Sequence, residues 1–104
     1  MQEWQKLEVE TAKEIDGTVV PASGGLPGRP GDAVSADLLV ECKDQAPRNQ
    51  ILIKGDVVEK ILDEARRYDK LGVLKIRIKG RQVAVLDWED FLEILVTVRE
   101  AGEK

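Results

Sequence analysis

The residues best suited to chemistry are Asp32, Glu41 and Lys43. Side chains alternate along a β-strand, so Glu41 and Lys43 are expected to project on the same side, roughly 7 Å apart. Asp32 and Glu41 together offer carboxylate oxygens to a divalent ion such as Mg²⁺, which polarises a phosphate and generates hydroxide from a bound water. Lys43 is then placed to orient that water or to offset charge in the transition state.

The same three residues have a plainer interpretation, which is a strand whose solvent face is charged. Two neighbouring features favour chemistry. The residues Leu38-Leu39-Val40 are apolar on both faces, which is typical of a strand covered on both sides. A loop rich in Gly and Pro, residues 23–31, precedes Asp32, and such loops bring the backbone close to phosphate.

The first predicted helix supplies a third acid, Glu8. With about 100° per residue and Trp4 as the origin, Glu8 falls near 40°, inside the apolar stripe that contains Leu7 and Ile15. A carboxylate in a buried stripe is costly unless it is paired or bound to metal. Two interpretations stay open: Glu8 joins the site, or it lies at the margin of the stripe and reaches water.

The composition excludes several other kinds of chemistry. The chain of 104 residues has no His and one Cys, so zinc sites built from His and Cys and all mechanisms with a His base are excluded. Cys42 is expected to be a buried strand residue and not a nucleophile, because no imidazole can activate it. Carboxylates, lysines and hard metal ions remain.

Length, charge and hydropathy describe one domain spanning residues 1–104. The net charge is −4, but residues 29–81 carry twelve bases against nine acids, which is a modest basic zone for phosphate. No apolar run is long enough for a membrane helix, and the first residues are not those of a secretory signal. With a single cysteine, these features predict a cytoplasmic protein.

The apolar periodicity predicts an α/β fold, a central mixed β-sheet flanked by helices in the rough order α-β-β-α-β-β-α. The predicted helices are residues 2–15, a segment capped by Asp56 and ended by Gly72, and a segment capped by Asp87. The predicted strands are 18–22, 37–43, 73–79 and 82–86, the last two forming a hairpin at Gly80-Arg81, with an extra short strand or extended segment at 51–53. Core packing, in preference to stacking on nucleic-acid bases, is expected of four aromatic residues: Trp4, Tyr68, Trp88 and Phe91.

The order of motifs resembles the PD-(D/E)XK nucleases, in particular the small phage and archaeal Holliday junction resolvase-like endonucleases. The similarity rests on a helix acid, then Val20-Pro21-Ala22-Ser23-Gly24, then Gly31-Asp32, then Leu38 to Lys43, and it runs from about Glu8 to Leu95. It implies a restriction-endonuclease-like core, Mg²⁺ (with Mn²⁺ as a substitute) and hydrolysis of DNA phosphodiester bonds. Because some of these enzymes are encoded by phages, the resemblance is also compatible with a phage enzyme that acts in the cytoplasm of its host cell.

Position by position, the resemblance assigns metal binding to Asp32 and Glu41, catalysis to Lys43, and completion of the site to Glu8. Ser23 and Gly24 match a loop that approaches the DNA backbone in such enzymes. Arg29, Arg48 and Lys54 lie near the site in sequence and are candidate phosphate contacts.

Branched DNA is the expected partner. Two cuts in a four-way junction need two sites, so a homodimer is expected. A hypothesis for its interface is the last helix, with Val96 and Val98 beside its main apolar stripe.

Several alternatives stay open. The chain is a metal-dependent endodeoxyribonuclease, or a noncatalytic nucleic-acid-binding or assembly module on the same fold, or a regulatory protein that shares the pattern by chance and keeps Asp32 far from Glu41. Four alternating bases are expected on one sheet face, where they either follow phosphates or form a solvated outer surface: Lys75, Arg77, Lys79 and Arg81.

Overall fold

The structure, a computed structural model, describes residues 3–20, 32–45 and 48–103, without the Trp4 side chain. Its elements are α1 (Glu3–Glu14), β1 (Thr18–Val19), β2 (Ala33–Val34), β3 (Leu38–Asp44), α2 (Gly55–Arg67), β4 (Leu71–Ile78), β5 (Arg81–Val85) and α3 (Trp88–Gly102). The predicted α/β class is confirmed. The extra strand is β2, and residues 51–53 are in neither a helix nor a strand, so of the two alternatives for that segment the strand is excluded.

The five strands form one mixed sheet in the order β1-β2-β3-β4-β5. Neighbouring strands are antiparallel except β3 and β4, which are parallel, and α2 supplies the crossover that a parallel connection requires. The predicted hairpin joins β4 to β5, but its turn is Lys79-Gly80 and not Gly80-Arg81, since Arg81 already pairs with Ile78. Lys79 and Gly80 both have positive φ angles. In the described ranges, no helix is long and apolar enough to cross a membrane.

The alternation along β3 divides the core between two faces of the sheet. Leu39 packs with Ile61 and Ala65 of α2, whereas Val40 packs with Ala12 of α1 and Ala33 of β2. Because successive strand residues point to opposite faces, α1 and α2 cover opposite sides of the sheet. Residues 41 and 43 share the face of Leu39 and are therefore directed toward α2.

The predicted ends of α2 are both wrong. The helix begins at Gly55, and its N-cap is Lys54, with no hydrogen bond from a capping side chain, so Asp56 lies inside the first turn. Gly72 lies in β4 and does not end the helix. A Cβ atom at position 72 would lie 3.0 Å from the Ile61 carbonyl oxygen, so this glycine allows β4 and α2 to approach closely.

The last helix, α3, begins as predicted but packs differently. The Asp87 side chain accepts hydrogen bonds from the backbone N–H groups of Glu89 and Asp90, which is an N-cap. None of its side chains is buried against the described part of the chain, and Trp88 is 67% exposed. Core packing was therefore the wrong expectation for three aromatic residues: Tyr68, Trp88 and Phe91. Apolar periodicity identifies the apolar face of a helix but not what covers that face.

Candidate active site

The register of β2 against β3 brings two of the predicted acids together. Ala33 pairs with Val40, and Asp32 donates its backbone N–H to the Val40 carbonyl oxygen over 2.7 Å. Continuing this register by one residue sets Asp32 opposite Glu41, and such side chains have Cβ atoms about 5 Å apart. The Asp32 carboxylate also accepts a 2.8 Å hydrogen bond from the Cys42 N–H, which fixes its position. The chance-pattern hypothesis required these acids to be far apart.

Lys43 lies beside Glu41, as the strand alternation predicted. The Lys43 Nζ atom is 3.7 Å from Glu41 Oε1, and both residues are partly buried. Burial raises the pKa of the Glu41 carboxyl above its ordinary value, and the negative charge of Asp32 raises it further. The positive charge of Lys43 opposes both effects, so it helps to keep Glu41 ionised.

The third acid, Glu8 of α1, is coupled electrostatically to Asp32 and Glu41. Its pKa is raised to about 7, first by burial and then by the negative charges of Asp32 and Glu41. The pKa of Asp32 is also raised by burial, which the hydrogen bond from Cys42 and the charge of Lys43 partly offset. Three partly buried carboxylates that interact electrostatically thus come from three separate elements: α1, the start of β2 and β3.

Helix α2 adds two charged residues that the sequence analysis did not assign to the site. Lys60 lowers the pKa values of both Asp32 and Glu41, and Glu64 raises that of Glu41. Lys60 Nζ lies 3.9 Å from a carboxylate oxygen of Glu64, whose side chain is almost buried. The sequence does indicate that Glu64 is close to the buried face of α2. With about 100° per residue, Glu64 lies some 60° from Ile61 on the helical wheel, at the edge of that face.

The donor chemistry of this cluster fits a hard divalent cation. Carboxylate oxygens are the protein ligands that Mg²⁺ prefers. A cation among Glu8, Asp32 and Glu41 would offset both the burial and the mutual repulsion that raise their pKa values. In the ranges that the structure describes, no three His, Cys, Asp or Glu side chains form a group that could hold a metal ion.

The predicted phosphate contacts are only partly within the described residues. Arg48 and Lys54 lie around a groove of about 320 Å³ that also reaches Lys43, and we call it the basic groove. Arg48 is exposed and donates a 3.1 Å hydrogen bond to the Gln45 side chain. The other predicted contacts, and the glycine before Asp32, lie outside the described residues: Ser23, Gly24, Arg29 and Gly31.

The four alternating bases, which lie in β4, in the turn after it and at the start of β5, do not form one surface for phosphate or for solvent. The Lys75 ammonium group lies 2.9 Å from Thr11 Oγ1 and 2.7 Å from a Glu14 carboxylate oxygen, both on α1. Arg77 donates to both carboxylate oxygens of Asp44. Both interpretations were wrong for these two residues, because α1 covers this face and acids of α1 and β3 pair with the bases. The remaining two bases are exposed: Lys79 and Arg81.

Cys42 is a partly buried strand residue, as predicted, and is not activated. Its Sγ atom lies 3.6 Å from the Thr11 hydroxyl, and burial raises the pKa of the thiol to about 11. A thiol with this pKa is almost entirely protonated near neutral pH and is a poor nucleophile. The chemistry of the site therefore falls to the carboxylates and lysines.

The described residues thus place Asp32 opposite Glu41 at the pairing of β2 with β3, with Lys43 and the basic groove beside them. Glu8 and Lys60 act on these acids through their charges. Carboxylates can bind a hard metal ion, and lysines can offset the negative charge of a phosphate. Comparison with models of protein families, with curated proteins and with solved structures finds no match for this chain.

Proposed function

We propose that this protein is a Mg²⁺-dependent DNA endonuclease with the restriction-endonuclease-like core of the PD-(D/E)XK enzymes. The observation that carries the proposal is the register of β2 against β3, which sets Asp32 opposite Glu41 on a strand that also presents Lys43, while Glu8 is coupled electrostatically to both acids. Structural ion pairs rarely collect three partly buried acids, because the like charges repel. A site that binds a divalent cation gains from the same arrangement.

Each residue has a role that follows from its position. Asp32 and Glu41 would bind Mg²⁺ (or Mn²⁺ in its place) directly, since they lie opposite each other, and Glu8 would complete the site from α1. When bound, the ion supplies a Lewis acid for the scissile phosphate and lowers the pKa of water. Lys43 donates hydrogen bonds to the attacking water or to the phosphate, which offsets negative charge as the transition state forms.

The second lysine, Lys60, extends the positive charge toward α2. Its charge acts on both Asp32 and Glu41, and its ion pair with Glu64 restricts where the ammonium group lies. Since phosphoryl hydrolysis gathers negative charge on oxygen, a cation on this side of the site stabilises the transition state. We assign two roles to Lys60: it positions the carboxylates, and it offsets the negative charge of the transition state.

Branched DNA, such as a four-way junction, is the substrate that we propose, and the active form is then a homodimer. Symmetric cleavage of two strands needs two sites related by a two-fold axis. Helix α3 offers an interface, because its exposed apolar side chains face water in a single copy. The exposed side chains are Trp88, Phe91, Ile94, Val96 and Val98. The predicted cytosolic location, including that of a phage enzyme in its host, belongs to this proposal.

A cleavage assay tests the proposal directly. Labelled four-way junction, flap and linear duplex are incubated with Mg²⁺ and either wild type, Lys43→Ala or Lys13→Ala. Lys13 is an exposed lysine of α1 and serves as the matched control. We expect wild type and Lys13→Ala to cut the junction, and Lys43→Ala to lose activity by about 10²-fold or more.

The outcome of the same experiment separates the enzyme from a binding module. If DNA binds but no substrate is cut with Mg²⁺ or Mn²⁺, the protein is a noncatalytic module on this fold. A calorimetric titration with Mn²⁺ supplies an independent result, because a module without a metal site gives no binding heat. Cleavage by Lys43→Ala at the wild-type rate would remove Lys43 from the mechanism.

A further inference from the structure

The basic groove has two kinds of lining that differ sharply in polarity. Its apolar part includes Val57 of α2 and the buried Leu74 and Ile76 of β4. Its charged part consists of Lys43, Arg48 and Lys54, with no acid among the lining residues that the structure describes. In a chain of net charge −4, a groove with three cations and no acid is a local site for an anion.

The segment before α2 forms an apolar rim on this groove. Ile51, Leu52 and Ile53 are consecutive, and Leu52 is 80% exposed to solvent. A second hollow, of about 610 Å³, shares Arg48, Ile51 and Leu52 and adds the exposed Lys79. Three exposed aliphatic side chains in a row, flanked by cations, are a costly surface for an isolated protein and a suitable one for a ligand.

A ligand for this surface must combine an anionic group with a flat apolar face. An unpaired nucleotide does so, because its phosphate is negative and its base is free of stacking partners. Duplex DNA presents phosphates but keeps the faces of its bases inside the stack, so it can use the cations and not the aliphatic rim. The volume of about 320 Å³ lies in the range of about 300–1,000 Å³ typical of small-ligand pockets.

We propose that the basic groove binds an unpaired nucleotide of the nucleic-acid substrate, with its base on Ile51 and Leu52 and its phosphates between Arg48 and Lys54. This inference rests on the proposed function for its choice of polymer. Lys43 belongs to both the groove and the candidate active site, so the unpaired nucleotide lies next to the phosphate to be cut. The groove thereby selects DNA with a branch, gap or overhang over an uninterrupted duplex.

Binding without divalent ions tests the groove separately from catalysis. Fluorescence anisotropy in EDTA compares a blunt duplex with the same duplex carrying a single-stranded overhang that contains 2-aminopurine. The variants are Ile51→Ser/Leu52→Ser, Arg48→Gln/Lys54→Gln, and Arg99→Gln as a control on exposed α3. Thermal melting by circular dichroism checks folding, and exposed positions such as 52 tolerate this change well.

We expect wild type and Arg99→Gln to bind the overhang probe roughly tenfold more tightly than the blunt duplex. Ile51→Ser/Leu52→Ser should lose most of this preference and the shielding of 2-aminopurine from acrylamide, with an unchanged salt dependence. Arg48→Gln/Lys54→Gln should weaken binding of both probes and reduce the slope of log affinity against log salt by about 1.4 for single strands, since each phosphate contact contributes about 0.7.

Equal binding of the two probes by wild type, or an unchanged preference in Ile51→Ser/Leu52→Ser, would overturn the inference. So would a result in which that variant dissociates a dimer and leaves DNA binding intact, because the rim would then belong to a second copy. Overhang preference without cleavage in Mg²⁺ would leave the nucleotide groove standing and remove the nuclease. Cleavage without overhang preference would do the reverse.

Discussion

Replacement of Glu8 by glutamine should stabilise the metal-free protein and abolish its activity. Folding moves the Glu8 carboxyl from a pKa near 4.5 to one of about 7, so the folded state holds its proton more tightly than the unfolded state does. The stability associated with this group is therefore highest below pH 4.5 and is lost as the pH rises through 7. Glutamine keeps the size of the side chain and removes the charge.

The magnitude follows from the size of the shift. A change from 4.5 to about 7 corresponds to roughly 3.5 kcal/mol at most, with about 1.4 kcal/mol for each pKa unit. Glu8 is only partly buried, so water screens its interactions, and about 1–2 kcal/mol is the expected gain for Glu8→Gln at pH 8. At pH 4.5 the folded carboxyl is already protonated, and the difference between variant and wild type should approach zero.

Urea unfolding in EDTA at pH 8 and pH 4.5 measures both values. Glu10→Gln, which removes an exposed acid of the same helix, controls for the loss of one negative charge. The reasoning would be refuted if Glu8→Gln were no more stable than wild type at pH 8, or if its gain were equally large at pH 4.5. Loss of cleavage by the stabilised variant would show that the repulsion among the acids is retained for function.

Three other predictions concern separate parts of the molecule. Gly72→Ala should lower the free energy of unfolding by about 1–3 kcal/mol, because the new Cβ would lie 3.0 Å from the Ile61 carbonyl oxygen; urea unfolding measures this, and an unchanged midpoint would contradict the close packing. Phe91→Ser/Val98→Ser should convert the proposed dimer to a monomer in sedimentation velocity at micromolar concentration, whereas a wild-type protein that is already monomeric would argue against an interface on α3. Lys60→Ala should reduce the rate of junction cleavage by roughly 10- to 100-fold with little loss of stability, and a wild-type rate would place Lys60 outside the mechanism.

The part of the site carried by one strand could be predicted from the sequence, because alternation is a local property. Glu41 and Lys43 share a face of β3, and the apolar residues before them show that the strand is covered on both sides. The helical wheel of α1 likewise singled out Glu8 among its acids. These inferences needed only the geometry of one element at a time.

The rest depends on how elements meet, which one element does not reveal. Lys75 and Arg77 looked like an exposed basic face, but α1 lies over them, and Glu14 and Asp44 neutralise their charges. Lys60 enters the site because α2 crosses between β3 and β4. A glycine after an apolar helical stripe predicts the end of a helix, but Gly72 is the residue that lets β4 approach α2.

The most direct test of the central claim is the rate of four-way junction cleavage as Mg²⁺ concentration is raised, in wild type and in Asp32→Asn. Asp32 lies opposite Glu41, and the variant keeps its shape while removing the charge that would bind the ion. We predict a saturable rise in rate for wild type and no cleavage by Asp32→Asn at the same DNA occupancy. Cleavage that is independent of Mg²⁺, or bound DNA that stays intact at every Mg²⁺ concentration, would contradict the assignment of a metal-dependent nuclease.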